Sequence, residues 1–294
     1  MRRRKYYSLT LSFFNSFILS LFTILHSTAG TTDSCKLIIS IQIQASSVAL
    51  DKIGNIYIIS GDKLLKYNKE GELLSSFSDK KRGPLQSVDP MNPMKICLFY
   101  REYAEVVLLD DKLSLIGEVM LKDCGIQQPM LMCASYNDGV WIYDQQDFMM
   151  KRIEGGKKVM LESESFLRLT GWKEDPNSKD ANKLTPFLME LHPQKMTEID
   201  RSIYIHDPTY GILIFDQSGS FLRNINMDSI SCYDKVNDIL VYFIKNTMWQ
   251  LNIKSSFKNN VTFSNLDGEV SACILSPDFL LAVVKKDRVY LYGK

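Results

Sequence analysis

One short pattern recurs along this chain at intervals of roughly forty residues: two β-strand-like runs, a turn and a third run. The clearest copies are GNIYIISGDKLLKYNKEGELLSSF, from Gly54, and RSIYIHDPTYGILIFDQSGSFLRNI, from Arg201. In both, Ile-Tyr-Ile (56–58 and 203–205) precedes a turn, a second apolar run and a hairpin at Gly71 or Gly219. Several short strands per unit, at a period of about 40 to 50 residues, predict an all-β protein built of β-propeller blades.

The rest of the chain divides into four-stranded meanders on this template. Blade one spans Ser46 to Phe77; blade two contains KICLFY, AEVVLLDD and SLIGEVML, from Lys95 to Leu121. Blade three contains LMCASYNDGVWIYDQQDFMMKRI, with Asn137-Asp138-Gly139 as a hairpin signal. Blade four is the second clear copy, ending near Met227, and blade five runs from Ile230 to Phe263. Val270 to Lys294 supplies only three strands, and KLIISIQIQ (36–44) is a strand without local partners. Pairing these two completes a sixth blade and closes the ring, removing an exposed sheet edge.

The predicted second strands begin near Asn55, Ile96, Gly139, Ser202, Asp238 and Phe279, so only the step from blade three to blade four is long, by about twenty residues. That excess predicts an insertion around residues 164–190. Within it ESFLRLTGW and PFLMELH read as two strands, which leaves a seventh blade as the alternative. The intervening KEDPNSKDANK has the composition of a surface loop. Long loops on rigid scaffolds often carry binding function, which makes Trp172, Lys173, Glu174, Asp175 and Pro176 candidate protein-contact residues. A functionless loop is the competing reading.

Residues 1–29 read as an export signal. Arg2, Arg3, Arg4 and Lys5 precede an uncharged apolar and hydroxylic run, and Ser27-Thr28-Ala29 resembles a cleavage site. An uncleaved membrane anchor is the alternative, since a spanning helix needs about 20 residues. Residues 30–294 then form one propeller domain. Losing the four leading cations turns 35 Lys+Arg into 31 against 34 Asp+Glu, an acidic balance that argues against a nucleic-acid surface. Of six cysteines, Cys97, Cys133, Cys232 and Cys273 sit in apolar strand-like runs and read as buried thiols; Cys35 and Cys124 are the better candidates for a pair.

Chemistry is sparsely supplied. His192 and His206 belong to no metal-ligand array, and neither a nucleophile elbow nor a phosphate-binding glycine loop is present, so no catalytic residue and no cofactor is assigned. A calcium-dependent lactone or ester hydrolase is the alternative function, with Asp51, Asp89, Asn137, Asp200 and Asp234 as candidate tunnel ligands. Asp and Asn are also ordinary turn residues. Asn260-Val261-Thr262 matches the glycosylation acceptor pattern.

The run DPMNPMKICLFYREYAEVVLLDDKLSLIGE, Asp89 to Glu118, resembles an exported propeller family of the bacterial envelope, with a fainter likeness through DGVWIYDQQ and SIYIHDPTYGILIFDQSGSFL. The resemblance implies a non-enzymatic, six-bladed, periplasmic protein that binds a partner at the outer membrane. It suggests an outer-membrane β-barrel translocon of the type nine secretion system, which such a protein plugs or regulates.

Overall fold

The computed structural model describes residues 36–293 apart from 156–157, 175–183, 189–190, 228, 263–269, 276–280 and 286. The expected export signal, the alternative anchor and Cys35 therefore lie outside the described residues. Among those described, no helix is long and apolar enough to cross a membrane.

Strand β1 (Lys36–Gln42) comes first, followed by blade one: β2 (Ser47–Leu50), β3 (Ile56–Ser60), β4 (Lys63–Tyr67) and β5 (Leu73–Ser78). Blade two is β6 (Ser87–Asp89), β7 (Ile96–Tyr100), β8 (Glu105–Leu109) and β9 (Leu115–Met120); blade three is β10 (Pro129–Ala134), β11 (Val140–Asp144), β12 (Met149–Glu154) and β13 (Lys158–Glu162). A hairpin of β14 (Thr170–Glu174) and β15 (Leu184–Leu188) intervenes. Blade four is β16 (Lys195–Ile199), β17 (Ser202–Asp207), β18 (Gly211–Asp216) and β19 (Phe221–Ile225); blade five is β20 (Cys232–Val236), β21 (Ile239–Ile244), β22 (Thr247–Asn252) and β23 (Lys258–Thr262). Blade six is β24 (Ala272–Leu275), β25 (Leu281–Lys285) and β26 (Arg288–Gly293), with β1 as its outer strand. The chain is a six-bladed β-propeller.

The ring closes as the unpaired terminal strands predict. Strand β1 runs antiparallel to β26 from Lys36 opposite Gly293 to Gln42 opposite Arg288, and the Ile43 amide donates to the Asp287 carbonyl. The insertion also forms two strands, but they pair only with each other, Trp172 opposite Pro186, as a separate two-stranded sheet. They add a hairpin between blades instead of a seventh blade. Sequence pattern overlooked β6 and β16, the inner strands of blades two and four. The first is only three residues long and runs into Pro90, and the second, KMTEI, interleaves charge with apolar residues.

The core is distributed between blades. Six apolar clusters each join one blade to the next; the one between blades one and two, for example, packs Tyr57 and Ile59 against Ile96, Leu98 and Val107. A sheet buried on both faces needs apolar residues at consecutive positions. That explains why β3 and β7 read IYIIS and ICLFY instead of alternating.

The turn into the outer strand is also repeated. Asn68, Asp110 and Asp216 each follow a register shift in the third strand, and each side chain accepts the amides two and four residues on. These Asx turns give the forty-residue period its polar punctuation. The charged connection 79–84 is tied to blade two: Arg82 pairs with Asp79 at 2.9 Å and also with Glu105 and Glu118 of blade two.

Candidate functional site

Because every blade begins with its innermost strand, β2, β6, β10, β16, β20 and β24 surround the axis and run in the same direction along it. They line a channel of about 830 Å³. An inner strand has no neighbour on its axial side, so backbone amides there need partners. Side chains from adjacent blades supply some of them. Asp89 of blade two accepts the Ala134 amide of blade three at 2.8 Å, and Asp234 of blade five accepts the Leu275 amide of blade six at 2.6 Å. Glu198 of blade four accepts from blade three three times, from Ser135 Oγ at 2.6 Å, Trp141 Nε1 at 3.0 Å and the Tyr136 amide at 3.3 Å.

Lys195 stands on the same wall. Its Nζ donates to the Tyr233 carbonyl at 2.7 Å and lies 4.8 Å from the centre of the Tyr233 ring, which packs in a T-shaped arrangement with His206, ring centres 5.9 Å apart. Burial raises the Asp89 and Asp234 carboxyls above the usual carboxylate range, against the amides and Lys195 that favour the charged form. His206 is buried, and its Nε2 is without a hydrogen-bond partner among the described residues.

Of the candidate calcium ligands, Asp51, Asp89, Asp200 and Asp234 do line the channel. The side chain of Asn137 lies outside the described residues. All four carboxylates are engaged by nearby groups. Besides the amides held by Asp89 and Asp234, Asp51 accepts from the Ile53 and Asn55 amides, Asn55 Nδ2 and the Tyr57 hydroxyl, and Asp200 pairs with Lys235 at 2.8 Å. Among the described residues, no three His, Cys, Asp or Glu side chains come together as a metal site. His192 is exposed and lends its backbone amide to Asp207. Trp172, Lys173 and Glu174 fall on β14, away from the channel-lining strands, while Asp175 and Pro176 lie outside the described residues.

The mouth of the channel at the first turn of each blade carries what sequence reading missed. Ile53 is 71% exposed, Met94 66% and Met91 39%, on the turns that follow β2 and β6 in adjacent blades. Pro90, Met91, Asn92 and Pro93 border the opening itself. The available signal was a Met-Asn-Pro-Met run in a turn, where polar residues are the norm.

No family model and no curated protein matches the sequence. Solved structures match across most of the chain. A streptogramin B lyase structure is 9% identical with a TM-score of 0.60, covering 87% of this chain and 96% of that one. The virginiamycin B lyase of Staphylococcus aureus is 10% identical with a TM-score of 0.60, covering 88% and 99%. The WD40 domain of Neurospora crassa Pan2 is 12% identical with a TM-score of 0.59, covering 91% and 97%. A lyase and a WD40 domain align about equally well, so these likenesses speak to the propeller fold alone.

A pH prediction arises at His206. Burial lowers it to about 4, with Asp207 opposing and Lys195 assisting. Its folded value therefore lies below the unfolded one of about 6.5. Its contribution to stability is full above that pH and falls as the pH drops towards 4, because only the unfolded chain takes up the proton. The loss is on the order of 3 kcal/mol. Asp89 and Asp234, shifted upward, act in the opposite sense, so the clean quantity is the difference between wild type and His206→Gln. Urea unfolding at about pH 7 and about pH 4 should show the wild type losing stability relative to the variant; a constant difference would contradict the assignment.

Proposed function

We propose that this chain is a non-enzymatic, exported propeller that binds protein at the periplasmic face of the outer membrane, its partner being an outer-membrane β-barrel translocon of the type nine secretion class that it plugs or regulates. The observation that carries the reading is the exposed apolar set Ile53, Met91 and Met94 on the turns that follow the inner strands of blades one and two, with Met91 bordering the channel. Exposed large apolar residues gathered on one face of a rigid scaffold favour a protein contact, and methionine adapts its shape to a partner surface. Met91 and Met94 also lie within the Asp89–Glu118 run that resembles the envelope propeller family. The channel carboxylates, engaged in joining blades at Asp89, Glu198, Asp200 and Asp234 and in the blade-one turn at Asp51, support a structural reading of the site. The β14–β15 hairpin, with Trp172, Lys173 and Glu174 on one strand and Asp175 and Pro176 beyond it, is a second contact candidate.

Affinity capture from detergent-solubilised envelopes tests this. Tagged wild type is expected to bring down a large outer-membrane β-barrel, and the triple variant Ile53→Lys, Met91→Lys, Met94→Lys is expected to lose it at least tenfold. These positions are surface-exposed, so the variant should keep the wild-type unfolding midpoint. Recovery of the wild type only as a free monomer would overturn the proposal. For the calcium hydrolase alternative, calorimetric titration with millimolar calcium is the discriminating measurement, since binding heat would restore it.

A further inference from the structure

We propose that Cys232 and Cys273 form a dithiol site in the channel wall that a small disulfide oxidant converts into a disulfide joining the innermost strands of blades five and six. The two residues face one another by register. Strands β20 and β24 run in the same direction on adjacent blades, and the Asp234–Leu275 hydrogen bond of 2.6 Å pins them side by side. Two residues back along each strand are Cys232 and Cys273. Their side chains lie in one apolar cluster, close enough for the Cys232 thiol to raise that of Cys273, and both residues line the channel. Both are free thiols in the structure.

The pair is distinctive among the described cysteines. Cys97 and Cys133 are also buried on adjacent blades, but they belong to different interblade clusters, and the Cys97 thiol points to the Lys95 carbonyl at 3.8 Å. They serve as an internal control, a second buried pair on adjacent blades whose side chains fall in different apolar clusters.

The chemistry balances as thiol–disulfide exchange. One cysteine attacks a disulfide R–S–S–R, forming a mixed disulfide and releasing one R–SH. Its neighbour then attacks the mixed disulfide, forming the Cys232–Cys273 bond and releasing the second R–SH. Two thiols are oxidised and one disulfide is reduced to two thiols. Burial, with Cys232 and Asp234 adding to it and Lys195 opposing, raises the Cys273 thiol well above its usual value. The dithiol is therefore slow to react with weak oxidants, and the channel is the route by which a small reagent reaches it.

The probe is 2,2′-dithiodipyridine on the folded mature chain, with intact mass, released pyridine-2-thione and peptide mapping as readouts. The expected result is one bridge between the peptides holding Cys232 and Cys273, two equivalents of thione for that bridge, and reversal by dithiothreitol. Closing a loop of roughly forty residues should move the unfolding equilibrium by about several hundredfold towards the folded state. In Cys232→Ser the reagent should instead remain attached to Cys273 as a mixed disulfide. If that variant does not fold, the wild-type map decides alone. Unreacted Cys232 and Cys273, stable adducts on both, or a bridge through Cys97 or Cys133 would each overturn the proposal.

Discussion

Deleting Lys36–Gln42 is expected to abolish cooperative folding of the propeller. Strand β1 supplies the whole outer edge of blade six, and its removal strips the hydrogen-bond partners from β26 between Arg288 and Gly293. It also removes Ile39 and Ile41, which pack against the cluster that joins blade six to blade one through Val289, Leu291, Ile56 and Ile58. Ile39 reaches across to blade one, where a Cβ on Gly71 would lie only 2.9 Å from its Cδ1. Burial contributes about 1.5–3 kcal/mol per large aliphatic side chain when complete, and each backbone hydrogen bond about 1 kcal/mol net. Even partial burial and half a dozen bonds therefore approach the 5–15 kcal/mol that typically separates folded from unfolded chains. The exposed β26 edge would in addition recruit other chains. The deleted protein should elute as aggregate and show no sharp urea transition; a wild-type midpoint would mean that the ring does not depend on β1 for closure.

Gly211→Ala should be the most damaging single substitution, costing about 4 kcal/mol or more. Gly211 opens β18 with φ of +81°, a conformation that glycine adopts without steric cost. A Cβ there would sit 2.3 Å from the Ile225 carbonyl oxygen and 2.5 Å from the Met227 amide nitrogen, both backbone atoms that cannot swing aside. Immediately upstream, Asp207 accepts the amides of Thr209 and Tyr210 at 2.8 and 3.1 Å, so the turn has little room to relax. Gly61→Ala is the comparison. Gly61 has φ of +62° but nothing within 4 Å of a built Cβ, so it should lose only the roughly 1–2 kcal/mol of left-handed strain. Urea midpoints for the two variants separate clash from strain, and equal losses would show that the close backbone approach at Gly211 has no consequence.

The blade pattern was legible because a blade is local. Four strands joined by short turns leave their mark within some forty consecutive residues, and Asn68, Asp110 and Asp216 repeat the same turn chemistry in blades one, two and four. The lone strand at 36–44 and the three-stranded final segment together predicted closure, since an unpaired edge must find a partner. The inner strands of blades two and four escaped notice, one being very short and the other charged at Lys195 and Glu198. The charges themselves were the clue: a lysine and a glutamate within a strand buried among blades need partners, and they find them in Tyr233, Ser135 and Trp141.

The site was much less visible. The aspartates singled out for calcium do line the channel, yet their oxygens are engaged with nearby amides, a tyrosine hydroxyl and a lysine, which no spacing rule foretells. Asp234 meets Leu275, Asp89 meets Ala134, and Cys232 meets Cys273, each pair about forty or more residues apart in the chain. Alone, then, the order of residues determined most of the strands, their grouping into six meanders and the strand pairing at the termini, because these depend on apolar periodicity and turn chemistry between near neighbours. Only the closed ring decided which side chains line the channel, which carboxylates join blades and which cysteines share one apolar cluster, because those contacts cross from one blade to the next and arise when the inner strands are brought around a common axis.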